Sequence, residues 1–149
     1  MDVLTRQQRS YNMSRIKGKD TKPELLVRKL LWANGYRYRL HAAKLPGKPD
    51  IVLPKYHAVL FVHGCFWHLH GCRFSIMPAT RREFWEKKLK GNKQHDTRVF
   101  EKLRDVGWRV MIVWECALKK KEDLDIVAQR IISWLHSDTS FSECEETTL

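Results

Sequence analysis

Residues 108–114 constrain the fold of this chain more than any other segment. They contain the uninterrupted apolar run Val-Met-Ile-Val at positions 110–113. A run this short and this apolar is typical of a strand that is buried on both faces, which requires helices on both sides of its sheet. We therefore predict a helix-covered sheet that contains this strand.

Further strands are predicted in the first half of the chain. A capping box formed by Thr21 and Glu24 begins a helix whose apolar residues recur at helical spacing, and Gly35 ends it. Residues 36–40 alternate aromatic with basic side chains and predict an edge strand. Residues 50–62 predict a β-hairpin, because two apolar runs flank a Pro-Lys-Tyr turn.

The second half of the chain is predicted to be mainly helical. Thr80 and Glu83 form a second capping box and predict a helix that Gly91 interrupts. Apolar spacing predicts another helix over residues 99–106 and a final amphipathic helix over residues 124–135. The order α-β-β-β-α-α-β-α therefore predicts an α/β fold in which a mixed sheet is flanked by helices.

The charge of the chain indicates its partner. Its 149 residues carry 28 Lys and Arg against 17 Asp and Glu, a formal net charge of +11. Such an excess attracts polyanions, of which nucleic acid is the commonest in a cell, although a merely solubilising charge is the alternative. We expect a basic DNA-binding arm at residues 1–22, one domain at residues 23–136, and an acidic, disordered tail at residues 137–149.

The location of the protein follows from two absences in the sequence. No segment is long and apolar enough to cross a membrane, and the first residues lack the apolar core of a secretory signal. We therefore expect a soluble intracellular protein without disulfides, whose cysteines bind metal or are buried. The four cysteines are Cys65, Cys72, Cys116 and Cys144. Cys65 is equally well explained as a buried thiol, and no role is predicted for Cys144.

Residues 63–72, with the sequence HGCFWHLHGC, are the densest in chemical groups. They hold three of the seven histidines and two of the four cysteines. They follow a predicted strand and so form a loop positioned by the sheet, where functional sites are common. Three imidazoles so close together are not expected in a hydrophobic core. The segment is therefore either part of an active site or a purely structural zinc loop.

Part of a zinc site is predicted in this loop. His70 and Cys72 can present one nitrogen and one sulfur to the same metal ion. Two ligands do not complete a tetrahedral site, so the others must come from elsewhere in the chain. Cys116 is the best third ligand, because it ends the buried strand. Asp96 and His95 remain alternatives for the fourth ligand.

A second metal site is predicted at Asp50, which opens the first strand of the hairpin. A carboxylate at a strand end beside a histidine-rich loop is suited to Mg²⁺, which in nucleases neutralises the scissile phosphate and activates the attacking water. His63 or His68 has a suitable intrinsic pKa for the general base. The alternative for Asp50 is a turn-capping role after Pro49.

Three large aromatic residues accompany these predicted sites. Phe66 and Trp67 lie between the histidines, and Trp85 lies early in the second capped helix. Aromatic side chains on a metal-bearing loop of a basic protein can wedge between base pairs. Core packing is the alternative for each of them, and it is the stronger interpretation for Trp85 taken alone.

Together, these segments resemble the very-short-patch-repair (Vsr) mismatch endonucleases, a bacterial branch of the restriction-endonuclease-like fold. The resemblance extends over roughly residues 9–118. It implies a PD-(D/E)xK-type mixed sheet and a cytoplasmic, nucleoid-associated protein. The most specific matching strings are NMSRI at 12–16, LPGKPD at 45–50, HGCFWH at 63–68, PATRREFW at 78–85 and GWRV at 107–110.

The resemblance implies an enzyme that nicks DNA on the 5′ side of the T in a T:G mismatch, which arises when 5-methylcytosine is deaminated. By position, Asp50 corresponds to the carboxylate that binds the catalytic Mg²⁺, together with the backbone carbonyl of Val62. His68 corresponds to the general base. His63 and Glu24 correspond to residues that support the metal and water network.

The same correspondence assigns a structural zinc site and a set of DNA contacts. It selects Asp96 over His95, so that the zinc ligands are His70, Cys72, Asp96 and Cys116. One residue of the basic arm wedges from the minor groove, and the aromatic residues intercalate from the major-groove side. The DNA-contacting residues are Met13, Phe66, Trp67, Trp85, Lys88 and Asn92.

Two positions depart from the wider patterns. In the larger superfamily a lysine follows the hairpin, whereas His63 stands there in this chain, as it does in the Vsr branch. Val62 stands where the Vsr family commonly has Thr. That change is harmless if only the backbone carbonyl binds Mg²⁺, and it weakens Mg²⁺ binding if the hydroxyl is needed.

Two other functions remain open at this point. One is a non-catalytic, zinc-stabilised module that binds mispaired or bent DNA, and the other is a restriction-type nuclease with a different target. The presence of both Asp50 and His68 favours an enzyme over the binding module. The expected partners are duplex DNA with a T:G mismatch and mismatch-repair proteins. A monomer is expected, because the matched residues form one self-contained site.

Overall fold

A single mixed sheet lies at the centre of the computed structural model, which describes residues 21–40, 42, 44–73 and 75–146. Its strands are β1 (Arg39–Leu40), β2 (Ile51–Leu53), β3 (Ala58–His63), β4 (Arg109–Trp114) and β5 (Phe141–Cys144), in that spatial order. β1, β2 and β3 pair antiparallel, whereas β4 runs parallel to both β3 and β5. The helices are α1 (Lys22–Ala33), α2 (Arg82–Asp105) and α3 (Leu124–Leu135). Within the described ranges, no helix has the length and apolar character needed to cross a membrane.

Helices cover both faces of the sheet, as the apolar run at residues 110–113 predicts. On one face, Leu60 and Met111 pack in a core shared with α1 and α3. On the other face, Val59 and Val110 pack in a core shared with α2. All four side chains are at most 2% exposed. Since burying an aliphatic side chain contributes about 1.5–3 kcal/mol, this three-layer packing makes the sheet a rigid support for the loops at its ends.

Several elements confirm the sequence predictions. Thr21 is the N-cap of α1, and its hydroxyl accepts the Glu24 N–H at 3.4 Å. β2 and β3 form the predicted hairpin around the short 3₁₀ turn Pro54–Tyr56. β4 and α3 match their predicted segments closely. The edge strand is shorter than predicted, since only Arg39–Leu40 pair with β2.

α2 corrects the prediction of two separate helices. It covers Arg82–Asp105 without a break at Gly91. Gly in a helix interior is about 1 kcal/mol less favourable than Ala. Leu89 and Val99 are buried on either side of the glycine, and their packing outweighs this cost. The second capping box is also wrong, because the N-cap is Arg81, with a φ of 55° and no hydrogen bond from its side chain.

The expectation of a disordered tail is wrong for its middle part. Phe141–Cys144 form β5, which pairs in parallel with β4. Cys144 is fully buried in the core, and the ring of Phe141 packs against Phe100 of α2. A four-residue segment with two polar members carries little strand signal by itself, because strand preference depends on the neighbouring strand. Pairing with the buried strand β4 stabilises the extended conformation that the local sequence alone does not favour.

Candidate functional site

A cleft of about 680 Å³ opens where β3 ends. Its walls include the start of α1, the segment that enters β2, and the first part of the loop after β3. The antiparallel pairing of β2 with β3 and the packing of α1 on the sheet bring these separate segments together. The cleft contains all five residues predicted for catalysis or Mg²⁺ binding: Glu24, Asp50, Val62, His63 and His68.

Asp50 lies immediately before β2, and its carboxylate reaches the neighbouring strand. Oδ2 of Asp50 accepts the backbone N–H of Val62, in β3, at 2.7 Å. The alternative of a turn cap after Pro49 does not account for this contact across the sheet. Carboxylate and backbone carbonyl oxygens are ligands that Mg²⁺ prefers. The oriented carboxylate therefore fits a Mg²⁺ ligand.

Glu24 has separate roles for its backbone and its side chain. The backbone N–H completes the cap of α1, while the side chain lines the cleft and pairs with Nη2 of Arg28 at 3.3 Å. Glu24 is only 2% exposed. A buried carboxylate is strongly unfavourable unless it is paired, and the Arg28 guanidinium offsets that penalty. A capping role explains the backbone contact, but it does not explain a buried carboxylate at the cleft.

His63 and His68 stack face to face in the cleft. Their ring centroids lie 3.6 Å apart, and the ring planes differ by 5°. Burial, and then the neighbouring His68, lower the pKa of His63 well below the usual value for histidine. Nδ1 of His63 is buried and has no hydrogen-bond partner among the residues that the structure describes. His63 is therefore held in its neutral form.

His68 is oriented by a carboxylate from α2. Its Nδ1 lies 2.5 Å from Oδ2 of Asp96. When Nδ1 carries the proton in this contact, Nε2 is the nitrogen that can accept a proton from water or substrate. The contact also corrects the sequence-based assignment of Asp96, which groups with His63 and His68 and not with the predicted zinc ligands.

A separate cluster collects three thiols and one imidazole. One ligand atom from each residue lies within 4.8 Å of all the others. Burial raises the pKa of the Cys65 and Cys116 thiols, whereas a cation bound between them favours the thiolate forms. Three sulfurs and one imidazole nitrogen suit a tetrahedral Zn²⁺. The cluster consists of Cys65, His70, Cys72 and Cys116.

This sulfur-rich cluster differs from the predicted zinc set by one residue. Three of the four predicted ligands come together, but Cys65 occupies the place that the resemblance assigned to Asp96. Trp114 accounts for the separation of the two groups. Its ring stacks on His70 at 4.0 Å and contacts the His63 ring edge-on at 5.4 Å. The indole therefore stands between the sulfur-rich cluster and the histidines of the cleft.

The three aromatic residues predicted to contact DNA form one group beside the cleft, here called the aromatic cluster. The rings of Phe66, Trp67 and Trp85 lie 5.1 to 5.9 Å apart, and all three residues are partly exposed. Nζ of Lys88 lies 5.8 Å from the Trp67 ring, and Nδ2 of Asn92 donates to the Trp67 carbonyl at 3.1 Å. α2 therefore holds the loop and its aromatic residues next to the histidines.

Phe84 also belongs with this cluster, although the sequence reasoning missed it. Its ring lies 5.3 Å from that of Trp85, and the residue is 45% exposed, with the guanidinium of Arg81 at 4.5 Å. The sequence signal that could have identified Phe84 is its position next to Trp85, within the string PATRREFW at residues 78–85. Met13 and the rest of the basic arm lie outside the described residues. His95 lines the cleft but belongs to neither ligand group found among the described residues.

Known proteins similar to this chain are endonucleases. The family model described as DNA mismatch endonuclease Vsr matches residues 1–74. The type II nicking enzyme V.XorIIP of Xanthomonas oryzae pv. oryzae is 45% identical over 131 residues, which are 88% of this chain and 96% of that protein. The DNA mismatch endonuclease Vsr of Escherichia coli is 43% identical over 136 residues, covering 90% and 87%. The type II nicking enzyme V.NmeAIP of Neisseria meningitidis is 45% identical over 120 residues, covering 80% and 86%.

These relatives match the chain over most of their own length. A carboxylate and two histidines at the end of a sheet, in a chain with such relatives, define a DNA endonuclease of the nicking type. The chain belongs to the Vsr DNA mismatch endonuclease family. Its substrate is accordingly DNA.

Proposed function

We propose that this enzyme nicks duplex DNA on the 5′ side of the T in a T:G mismatch, as a step in very short patch repair of deaminated 5-methylcytosine. The convergence of Asp50, His63 and His68 in one cleft beside the aromatic cluster is the observation that carries this proposal. The similarity to a protein named as a mismatch endonuclease supports the choice of lesion.

Asp50 and the backbone carbonyl of Val62 are the proposed ligands of a catalytic Mg²⁺. The Val62 N–H fixes the carboxylate of Asp50 beside the end of β3. When bound, Mg²⁺ neutralises the scissile phosphate and lowers the pKa of the attacking water. Because Val62 contributes only its backbone, the absence of a Thr hydroxyl leaves this ligand set unchanged. Glu24 supports the water network from the start of α1.

His68 is the proposed general base. Asp96 accepts a hydrogen bond from Nδ1–H of His68, so Nε2 keeps its lone pair for the incoming proton. The carboxylate then stabilises the imidazolium that forms. His63 stays neutral, because burial lowers its pKa, and it therefore does not repel the positive charge that His68 acquires.

Hydrolysis follows as a single displacement at phosphorus. Water attacks the scissile phosphate while its proton passes to Nε2 of His68. The bond between phosphorus and the 3′ oxygen breaks, and that oxygen takes up a proton from solvent water, while His68 later releases its proton to solvent. The products are a 3′-hydroxyl and a 5′-phosphate on the nicked strand.

The aromatic cluster is proposed to enter the base stack at the mismatch from the major-groove side. Unstacking costs a few kcal/mol per step, and a wobble pair makes the required distortion easier than a matched pair does. This difference contributes to selectivity for the lesion. Lys88 and Asn92 hold the cluster and face the mismatched bases, and Met13 of the basic arm wedges from the minor groove.

The sulfur-rich cluster is proposed to bind a structural Zn²⁺. Its ligands span the loop after β3 and the end of β4, so a bound ion ties together the segments that carry His68 and Trp114. The restriction-endonuclease-like arrangement of the sheet, action as a monomer, and cooperation with mismatch-repair proteins belong to the same proposal.

A second candidate function follows from the names of two relatives. Both are called type II nicking enzymes, which favours the same chemistry in a different target context. T:G duplexes that differ only in the bases flanking the mismatch separate the candidates. Cutting confined to one flanking sequence indicates a context-specific nicking enzyme, and cutting of every T:G duplex indicates a general mismatch enzyme.

The proposal is tested by measuring strand-specific nicking of a short labelled duplex that contains one T:G pair. The matched duplex serves as the comparison, and each duplex is assayed with Mg²⁺ and with EDTA. Asp50→Ala and His68→Ala are compared with Asp125→Ala and His136→Ala, which alter the same residue types at α3, away from the cleft. We expect one Mg²⁺-dependent nick beside the T, lost only in the cleft variants. Equal cutting of matched DNA excludes mismatch recognition, and binding without cutting leaves only the DNA-binding module.

A further inference from the structure

The acidic segment after α3 reaches the sulfur-rich cluster. Oε1 of Glu143 accepts a hydrogen bond from Nε1 of Trp114 at 3.3 Å, and Oε2 of Glu145 lies 2.8 Å from Nε2 of His70. Cys144, between them, points to the opposite side of the strand and is fully buried. Alternate residues of an extended strand therefore direct two carboxylates toward the cluster and its neighbouring indole. Residues 141–146 are here called the C-terminal clasp.

The contact with Glu145 determines how His70 presents its nitrogens. Nδ1 of His70 lies 3.6 Å from Sγ of Cys116, inside the cluster, while Nε2 faces the Glu145 carboxylate. A carboxylate that accepts a hydrogen bond from Nε2–H leaves the lone pair on Nδ1, and this tautomer can bind a metal through Nδ1. Trp114 stacks on the ring at 4.0 Å and fixes its plane. The ring is thus constrained in tautomer and in orientation.

The backbone of the clasp makes a second contact with the cluster. The Glu146 N–H donates a hydrogen bond to Sγ of Cys116 at 3.3 Å. The Glu146 carboxylate also accepts a hydrogen bond from Nε of Arg73 at 3.1 Å. Arg73 follows Cys72 directly in the loop. Arg130 of α3 donates to the Glu145 carbonyl at 3.4 Å. The clasp is therefore attached to both segments that carry the ligands.

We propose that the C-terminal clasp supports metal binding by the sulfur-rich cluster, and that Glu145 positions His70 to bind the ion. This inference rests on the proposed zinc site. Because the docked clasp contacts two of the ligands, His70 and Cys116, docking and metal binding strengthen each other, and each must weaken when the other is lost. Loss of a carboxylate that supports a metal-ligating histidine typically lowers metal affinity about 10- to 100-fold.

Zinc affinity of Glu145 variants tests the positioning role. The dissociation constant of the full-length protein is measured by competition with a chromophoric chelator, and Co²⁺ spectra report whether all four ligands still bind. Glu145→Ala is compared with Glu145→Gln, which keeps an acceptor oxygen, and with Glu122→Gln, a control in a short turn away from the cluster. We expect affinity to fall about tenfold or more in Glu145→Ala and less in Glu145→Gln, with unchanged Co²⁺ bands. Affinities of Glu145→Ala and wild type within twofold overturn the positioning role.

Hydrogen exchange tests the coupling from the other side. Exchange of the backbone amides in residues 141–146 is followed with zinc bound and after its removal by a chelator, with α3 as an internal reference. We expect faster exchange of the clasp without zinc and little change in α3. Equal protection in both states overturns the coupling. If the wild-type protein binds no zinc, the proposed zinc site is refuted together with the role of the clasp. If zinc binds tightly and Glu145 variants bind it equally well, only the role of the clasp is refuted.

Discussion

The substitution Asp96→Asn distinguishes two possible roles of this residue, orientation of His68 and ligation of zinc. The side chain keeps its size, so α2 and the cleft are preserved, but the charge opposite Nδ1 of His68 is lost. A hydrogen bond to a charged group contributes about 1.5–3 kcal/mol, and each 1.4 kcal/mol is a factor of ten in rate. The 2.5 Å contact therefore predicts a fall of about 10- to 150-fold in the rate of the chemical step.

Single-turnover nicking of the T:G duplex, with enzyme in excess, measures this step without product release. Asp105→Asn, at the last position of α2, is the matched control and should retain the wild-type rate.

The zinc content of Asp96→Asn decides between a positioning residue and a zinc ligand. Asp96 groups with the cleft histidines, so we expect full zinc content in the slow variant. A variant that loses zinc restores the assignment made from the family resemblance. A rate within threefold of wild type, with zinc retained, refutes the role of Asp96 in orienting His68.

Four further outcomes test the packing and the metal centre. Gly91→Ala should raise the free energy of unfolding by about 0.5–1 kcal/mol in urea titrations, because its added Cβ meets no described atom within 4 Å, and a destabilised variant would contradict this packing. Gly47→Ala should lower that free energy by about 2–5 kcal/mol, since its φ is +72° and a Cβ would lie 2.2 Å from Val99 Cγ1; wild-type stability would refute the clash. Phe84→Ala should weaken binding of a T:G duplex about 2- to 10-fold in fluorescence anisotropy, through loss of its contact with Trp85, and unchanged affinity would exclude it from the interface. Removal of zinc by a chelator should lower Tm, and an unchanged Tm after verified removal would reject a structural role.

Local signals were sufficient for much of the fold. The Thr21 cap, the hairpin and the apolar run at residues 110–113 each predicted an element that the structure contains. These features depend on neighbouring residues along the chain, because a cap satisfies nearby backbone N–H groups and a short apolar run signals burial on both sides. Their success shows that local preference and tertiary packing agree in these segments.

Two elements depended on tertiary packing instead. Gly91 is a local helix breaker, yet α2 continues through it, because the helix buries Leu89 and Val99 against the rest of the domain. Phe141–Cys144 have the acidic neighbours of a disordered tail, yet they extend the sheet beside β4. In both cases the deciding contacts come from residues distant in sequence, which no local pattern contains.

For the site, the sequence by itself determined the chemical groups: a carboxylate before a strand, a loop rich in histidine and cysteine, and aromatic residues within that loop. Only the tertiary structure decided how they are grouped. Asp96 joined His68, Cys65 joined the sulfur-rich cluster, and Glu145 reached His70 from the end of the chain. Metal ligation and proton transfer depend on distances of a few ångströms, and here those distances follow from the packing of α2, Trp114 and β5 around the end of the sheet.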